Sequence, residues 1–159
     1  MNVVLSKENY HVNNIIFGNK TPNNIIENSY FYTIHYSDEL IYLNHIVYKI
    51  SFNNFTVEEY YNKFKNNFKY AGNEQAVSEI IQLEQSILAL FSSSKRPSFK
   101  MKEQCSKQFC KVTIDTKSGS SILLHNLSKE ITQPMPMYIK ISGIWETKDE
   151  YGIIYKFFF

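Results

Sequence analysis

The chain has 159 residues, enough for one domain with a substantial buried core. Hydrophobic residues make up 43% and charged residues 20% of the sequence, proportions that exclude a fibrous or disordered chain. The formal net charge of +2 permits an anionic partner but does not require one.

The sequence lacks the patterns of membrane and secreted proteins. No apolar run approaches the roughly 20 residues of a transmembrane helix, and the N-terminus lacks the basic and apolar regions of a signal peptide. Cys105 and Cys110 are too few for a disulfide scaffold, and no second pair of metal ligands lies beside them. We therefore predict an intracellular protein with two reduced thiols and no membrane partner.

The first third of the chain predicts strands. Residues 3–5 form a short apolar strand, and an Asn-rich loop follows. Two longer runs, 29–37 and 40–52, are rich in tyrosine and β-branched residues and are separated by turn residues at 37–39. They predict a hairpin whose first strand has one face formed by Tyr30, Tyr32, Ile34 and Tyr36.

A change of period after residue 55 predicts a helix. Thr56 and Glu59 match a capping box, which satisfies two free amides at a helix start. At 100° per residue the aromatic side chains of residues 56–70 fall on one side and the lysines on the other. Read linearly, this stretch looks like a basic and aromatic binding element. The helical arrangement favours a helix packed on the core, ending at Gly72.

A second helix is predicted from Asn73 to about Phe91. Its apolar residues cover more than half of its circumference, so we expect it to be the central buried helix. Glu84 falls within the apolar face. A buried carboxylate needs a partner, and we expect a lysine, a tyrosine or a helix end to supply it.

Residues 95–111 concentrate positive charge. Six Lys and Arg residues face Glu103 as the one acidic residue, and Phe99 and Phe109 lie among them. This pattern is typical of a groove that contacts phosphates and stacks bases. The alternative is a solvated loop that keeps the protein soluble. Two further strands, 109–116 and 121–125, are predicted around a turn at 117–120.

The last stretch, residues 137–159, predicts a second hairpin with a charged loop at 147–150. Without a bulge, Trp145 shares the core face of Ile141; a bulge at Gly143 moves Trp145 to the other face. On the final strand, one row is formed by Tyr151, Ile153, Tyr155 and Phe157, with Lys156 on the reverse.

The sequence has no recognisable catalytic or cofactor motif. His11, His35, His45 and His125 are isolated, and no zinc spacing, phosphate-binding loop or nucleophile elbow occurs. We therefore predict a protein that is not an enzyme and that has no metal and no cofactor. A small nuclease or transferase with scattered residues is the weakest alternative.

The pattern G-I-W-E-T…Y-G-I-I-Y-K-F, from Gly143 to Phe157, resembles a C-terminal hairpin of small OB-type single-stranded-DNA-binding proteins of large DNA viruses. The resemblance covers about the last twenty residues. It implies an OB-like barrel, a viral role in DNA replication, and a location in the host cytoplasm or nucleus. Two consecutive helices and the absence of an acidic tail depart from that pattern.

These observations predict a single α+β domain over residues 1–159, with an antiparallel, OB-like or barrel-like sheet and a mid-chain helical hairpin. The predicted function is sequence-tolerant binding of single-stranded nucleic acid, with homo-oligomerisation as a further expectation. The alternative is a non-catalytic viral interaction or structural module that oligomerises through Tyr-rich strands. The predicted contact residues are Lys95, Arg96, Phe99, Lys100, Lys102, Lys107, Lys111, Tyr138, Lys140, Trp145 and Lys156.

Overall fold

The computed structural model describes residues 3–114 and 121–159. Within these ranges a 3-10 helix (Val12–Asn14) precedes most of the strands. The α-helices are α1 (Glu74–Phe91), α2 (Lys100–Ser106) and α3 (Ser121–His125). The strands are β1 (Ile15–Phe17), β2 (Thr21–Pro22), β3 (Tyr30–Ser37), β4 (Tyr42–Leu43), β5 (Ile46–Phe52), β6 (Phe55–Tyr60), β7 (Lys63–Phe68), β8 (Arg96–Ser98), β9 (Phe109–Thr113), β10 (Met135–Glu146) and β11 (Glu150–Phe158).

The described strands form one sheet, mixed but mostly antiparallel. Its main path runs β1-β3-β10-β11-β9-β7-β6, with β5 on β10 and β8 on β11 as side branches. The pairings of β11 with β8 and β9 are parallel. The path ends at β1 and β6 and is not closed. The architecture is α+β, as predicted, with an open sheet in place of a barrel.

Strand β10 is the central strand of the sheet and pairs with three others. One edge pairs with β11 along almost its whole length. The other edge pairs with β5 over residues 135–141 and with β3 over residues 143–146. The predicted terminal hairpin is therefore confirmed, and it lies in the middle of the sheet.

Helix α1 covers one face of the sheet, which we call the inner face. Its buried residues are Ala76, Val77, Ile80, Leu83, Glu84, Ile87 and Leu88. Tyr48 on β5 donates a hydrogen bond to Glu79 of α1, and Tyr151 on β11 donates to the carbonyl of Leu88. The buried side chains form one connected cluster. The prediction that this helix is central and buried is confirmed.

The predicted helix over residues 56–70 is wrong, because this stretch is the antiparallel hairpin β6-β7. Tyr61 and Asn62 form its two-residue turn, with φ angles of 47° and 60°. Two consecutive left-handed residues match the twist of a hairpin, and Asn tolerates this conformation well. Tertiary pairing of β7 with β9 overrides the local helical pattern. The predicted mid-chain helical hairpin is therefore absent.

Two other expectations change. Residues 121–125, predicted as a strand, form α3, in which Leu123 is buried. The predicted turn at 117–120 and the last two residues of the predicted strand 109–116 lie outside the described residues. None of the helices in residues 3–114 and 121–159 combines the length and the apolar composition needed to cross a bilayer.

The bulge considered for the terminal hairpin is present. The register of β10 against β11 shifts between Ile141 and Gly143. A Cβ on Gly143 would lie 2.4 Å from the carbonyl oxygen of Tyr32, so only glycine fits against β3. Trp145 consequently lies on the outer face, half-buried, as the bulged alternative predicts. Its ring covers Gly152, where a Cβ would lie 2.6 Å from Cζ2.

The β6-β7 turn gives a test that separates a hairpin from a helix. Changing Tyr61→Asn together with Asn62→Gly supplies the dipeptide that a type I′ turn prefers. The free energy of unfolding should rise by up to about 1 kcal/mol, because the substitution removes the strain of a tyrosine in the left-handed conformation. Urea denaturation measures it. A helix at these positions would lose about 1 kcal/mol from the glycine alone, so a loss would contradict the hairpin.

Candidate nucleic-acid interface

The face of the sheet opposite α1, which we call the outer face, carries most of the lysines of the strands. On β10, Ile139 and Ile141 are fully buried on the inner face, and Lys140 between them points away. On β9, Cys110 and Val112 are buried, and Lys111 between them is exposed. Strand alternation therefore assigns both lysines to the outer face.

Two pairs of lysines face each other directly across neighbouring strands. Lys140 on β10 is opposite Lys156 on β11. Lys65 on β7 is opposite Lys111 on β9. Directly opposed residues share one face of a sheet, with Cβ atoms about 5 Å apart, so both pairs bring like charges together.

The two pairs adjoin each other. Strand β9 is next to β11, and the residues that follow Lys111 and Lys156 are partners in that ladder. Lys111 and Lys156 also line the same cavity. Four neighbouring strands therefore present one lysine each, at roughly 15 Å from end to end by strand spacing. We call this set the lysine row: Lys65, Lys111, Lys156 and Lys140.

The charge of the lysine row is not neutralised by the described part of the protein. None of the four lysines forms an ion pair within residues 3–114 and 121–159. Glu58 on β6 is the register partner of Lys65 and lies next to that end of the row, but it forms no ion pair with Lys65. Opposed like charges destabilise a sheet. An anion lying along the row would remove that repulsion.

Aromatic rings accompany the lysine row on the outer face. Tyr138 and Phe158 are register partners and stack with centroids 5.4 Å apart. Tyr138 is also the register partner of Lys49 on β5. Phe109 lies on β9, and Lys65 Nζ is 4.3 Å from the centre of its ring. The outer face thus combines cations with half-buried ring surfaces.

A second cavity adjoins the row at the β6-β7 turn. It has a volume of about 490 Å³, and Tyr60, Tyr61, Phe64 and Phe109 line it together with Lys63, Lys65 and Lys111. Tyr61 is 83% exposed and packs edge-to-face on Tyr60 at 4.5 Å. Tyrosine is enriched at interfaces, because its ring is apolar and its hydroxyl can form a hydrogen bond.

Most of the predicted basic segment 95–111 lies elsewhere and is paired. Lys95 Nζ is 3.2 Å from Glu146, and Arg96 forms an ion pair with Glu150. Both acidic residues belong to the terminal hairpin, so they are distant in sequence from the lysines that they neutralise. Lys100 and Lys107 flank Glu103 at 3.4 and 3.2 Å, and these two cations lower the pKa of that carboxyl.

Helix α2 holds the rest of this segment against the core. Phe99 is half-buried beside it, with Lys102 Nζ 6.0 Å from the ring centre. The Glu84 carboxylate accepts hydrogen bonds from the amides of Met101 and Lys102 at 2.9 and 2.8 Å. The expectation that a helix end satisfies Glu84 is confirmed. Burial raises the pKa of Glu84, and the Lys102 and Met101 amides oppose that rise.

The structure thus brings together four of the eleven predicted contact residues: Lys111, Tyr138, Lys140 and Lys156. Trp145 shares the outer face but lies about five residues further along β10. The other six lie on β8, on α2 or directly beside one of these two elements: Lys95, Arg96, Phe99, Lys100, Lys102 and Lys107.

Sequence reasoning did not identify four of the outer-face residues: Lys49, Lys63, Lys65 and Phe158. It named Phe109 within the basic segment, but not as a neighbour of the lysine row. The alternation of Lys63 and Lys65 around Phe64, directly after a Tyr-Asn turn, is the signal that indicates a strand. The position of Lys49 opposite Tyr138 depends on a pairing between residues about ninety positions apart, which no local pattern contains.

The two cysteines contribute no reactive group to this face. Cys105 and Cys110 are buried free thiols. A hydrogen bond with Cys105 and burial raise the pKa of the Cys110 thiol, which keeps it protonated and unreactive. Within the described residues no group of three or more His, Cys, Asp or Glu is placed to hold a metal ion.

Comparisons with known proteins found no matching family model, no matching curated protein and no matching solved structure.

The repulsion within the lysine row leads to a stability prediction. Lys156→Glu places an opposite charge directly across from Lys140 and beside Lys111. The free energy of unfolding should rise by roughly 0.2–1 kcal/mol at low salt, and the gain should shrink as salt screens the charges. Thermal and urea denaturation at two ionic strengths measure this. A loss of stability at low salt would show that the row is not a set of mutually repelling charges.

Proposed function

We propose that the protein binds single-stranded nucleic acid, DNA in the first place, through the outer face of its sheet and without catalysis. The observation that carries the proposal is the lysine row. Four lysines from adjacent strands lie side by side, two pairs are directly opposed, and no described acidic residue forms an ion pair with them. A chain of phosphates is a ligand whose repeated charge matches such a row.

The aromatic rings favour a single strand over a duplex. Tyr138, Phe158 and Phe109 lie among the lysines, and stacking needs the flat faces of unpaired bases. In a duplex those faces are stacked on each other, so the rings of a rigid sheet cannot reach them. Ring contacts and phosphate contacts are similar for every base, which makes the proposed binding sequence-tolerant.

The resemblance of the terminal hairpin to OB-type proteins of large DNA viruses contributes the ligand class and the viral, intracellular context to this proposal. The sheet is open and does not form an OB barrel. The proposal therefore takes from the OB-type proteins only the use of a sheet face for binding. The alternative of an interaction module has less support. The even-numbered residues of β3 become more buried along the strand, so that Tyr36 lies in the core and is not available to a partner.

The experiment is a titration of a labelled single-stranded oligonucleotide of about 16 nucleotides, followed by fluorescence anisotropy over a series of salt concentrations. Lys65→Ala combined with Lys140→Ala removes one lysine from each opposed pair. The slope of log affinity against log salt should become flatter by about 1.4, because each neutralised phosphate contributes about 0.7 for single strands.

The matched control is Arg96→Ala combined with Lys107→Ala. It removes the same charge, but both side chains are paired with acidic residues away from the lysine row. The control should keep the wild-type slope. Lys156→Glu should abolish binding although it stabilises the fold, which separates loss of function from unfolding. Equal effects of the two double variants, or equal binding of duplex and single strands, would contradict the proposal and favour an interaction module.

A further inference from the structure

A cavity opens between β9 and β11, at one side of the lysine row. Its volume is about 490 Å³, and three lysines line it: Lys63, Lys111 and Lys156. The remaining polar lining comes from Asn62, Gln104, Thr113 and Tyr155, and no acidic residue lines it among those that the structure describes. Lys63 belongs to the cavity but not to the row.

The cavity exists because the two strands separate. Within residues 3–114 and 121–159, β11 pairs with β9 only at Phe157 and Phe158. One step before this ladder, the amide of Lys111 donates instead to the side-chain oxygen of Gln104, at 2.9 Å. The side-chain amide of Gln104 in turn donates to the hydroxyl of Tyr155. A single side chain from α2 therefore bridges β9 and β11 beside their ladder, and it lines the cavity.

Tyr155 presents a hydrogen-bond donor to the cavity. Its hydroxyl oxygen accepts the bond from Gln104, and the hydroxyl donates no hydrogen bond to another described residue. Burial, together with the charge of Glu84, raises the pKa of Tyr155 to about 12, so the hydroxyl stays protonated at neutral pH. A protonated hydroxyl and three lysines line the same cavity, a set of donors suited to an anion with several acceptor oxygens.

The number of cations selects the kind of phosphate. A phosphodiester within a strand carries one negative charge, whereas a phosphate monoester carries about −1.5 to −2 at neutral pH and has three terminal oxygens. Three lysines and a hydroxyl exceed what one diester uses. We propose that this cavity, the end pocket, binds the terminal phosphate monoester of a nucleic-acid strand whose remaining phosphates lie on the lysine row. The inference rests on the proposed function.

The test compares oligonucleotides of one sequence that carry a phosphate at the 5′ end, at the 3′ end or at neither end. A fourth oligonucleotide is unphosphorylated and one nucleotide longer, which adds a charge without a monoester. One of the two phosphorylated strands should bind at least roughly tenfold more tightly than both unphosphorylated ones, the gain expected of hydrogen bonds to a charged group. Inorganic phosphate at constant ionic strength should remove that preference and leave the other binding unchanged.

Variants locate the effect. Lys63→Gln and Tyr155→Phe alter the end pocket without altering the lysine row, and each should remove most of the preference. Tyr155→Phe should bind the unphosphorylated strand as the wild type does. Lys63→Gln also removes a lysine from the second cavity, so its effect is read from the ratio of the affinities for phosphorylated and unphosphorylated strands. The control Lys69→Gln removes an exposed lysine of the same hairpin region that does not line the end pocket. It should keep the full preference.

The outcomes separate the two proposals. If all four oligonucleotides bind with equal affinity and a salt dependence that Lys65 and Lys140 control, the end pocket is overturned and the proposed function stands. An equal gain from the longer strand also overturns it. If no oligonucleotide binds but inorganic phosphate protects the wild type and not Lys63→Gln against thermal unfolding, the cavity is a phosphate site, and both proposals about nucleic acid are overturned. If neither ligand binds, both are overturned.

Discussion

The bulge in β10 is the constraint on which the arrangement of the outer face depends. Before the bulge, β10 pairs with β5; after it, β10 pairs with β3, and Gly143 lies where the partner changes. The close approach of the Tyr32 carbonyl leaves no room for a side chain at Gly143. The extra residue also changes which side chains point outward. Lys140 lies on the outer face before the bulge, and Trp145 lies on the same face after it. In a regular strand these two residues would lie on opposite faces.

The rigid ladder explains how like charges are kept together. The backbones of Lys140 and Lys156 are held side by side, because they belong to the longest pairing in the sheet and their neighbours Ile139, Ile141 and Phe157 are buried. The repulsion between the pair is therefore a cost that the core sustains in the free protein. Such an arrangement lowers the entropy that must be lost on binding, since the cations are already in position before an anion arrives.

Local patterns predicted the parts of the fold that local physics determines. The terminal hairpin, the strand at 29–37 and helix α1 follow from period and turn chemistry, and the structure contains them. The predicted strand at 40–52 is divided into β4 and β5. The predicted hairpin is limited to the short pairing of β3 with β4, because β5 pairs with β10. Residues 56–70 misled the same reasoning. Their aromatic spacing suits a helix as well as a strand, and the decision comes from pairing with β9, about forty-five residues away. That error also hid Lys63 and Lys65, since a helix would have turned them away from the aromatic residues.

The charge of residues 95–111 shows that a local sequence pattern does not predict which charges are paired in the fold. The segment has one acidic residue in sequence, yet Glu146 and Glu150 approach it in the fold and pair with its first two cations. The unneutralised charge lies instead on strands that are separate in sequence. A cluster assembled from β7, β9, β10 and β11 depends on register across the whole chain. No window of the sequence contains it, although three of its four lysines, Lys111, Lys140 and Lys156, were predicted individually.

Mapping the bound strand on the protein tests the account most directly. Backbone and lysine side-chain NMR signals would be followed while an unlabelled single-stranded oligonucleotide is added. The largest changes should fall on Lys65, Lys111, Lys140 and Lys156 and on the Tyr138–Phe158 pair, and the exposed lysines of α2 should keep their positions. Changes confined to residues 95–107, or an absence of changes at saturating oligonucleotide, would contradict the assignment of the outer face as the binding surface.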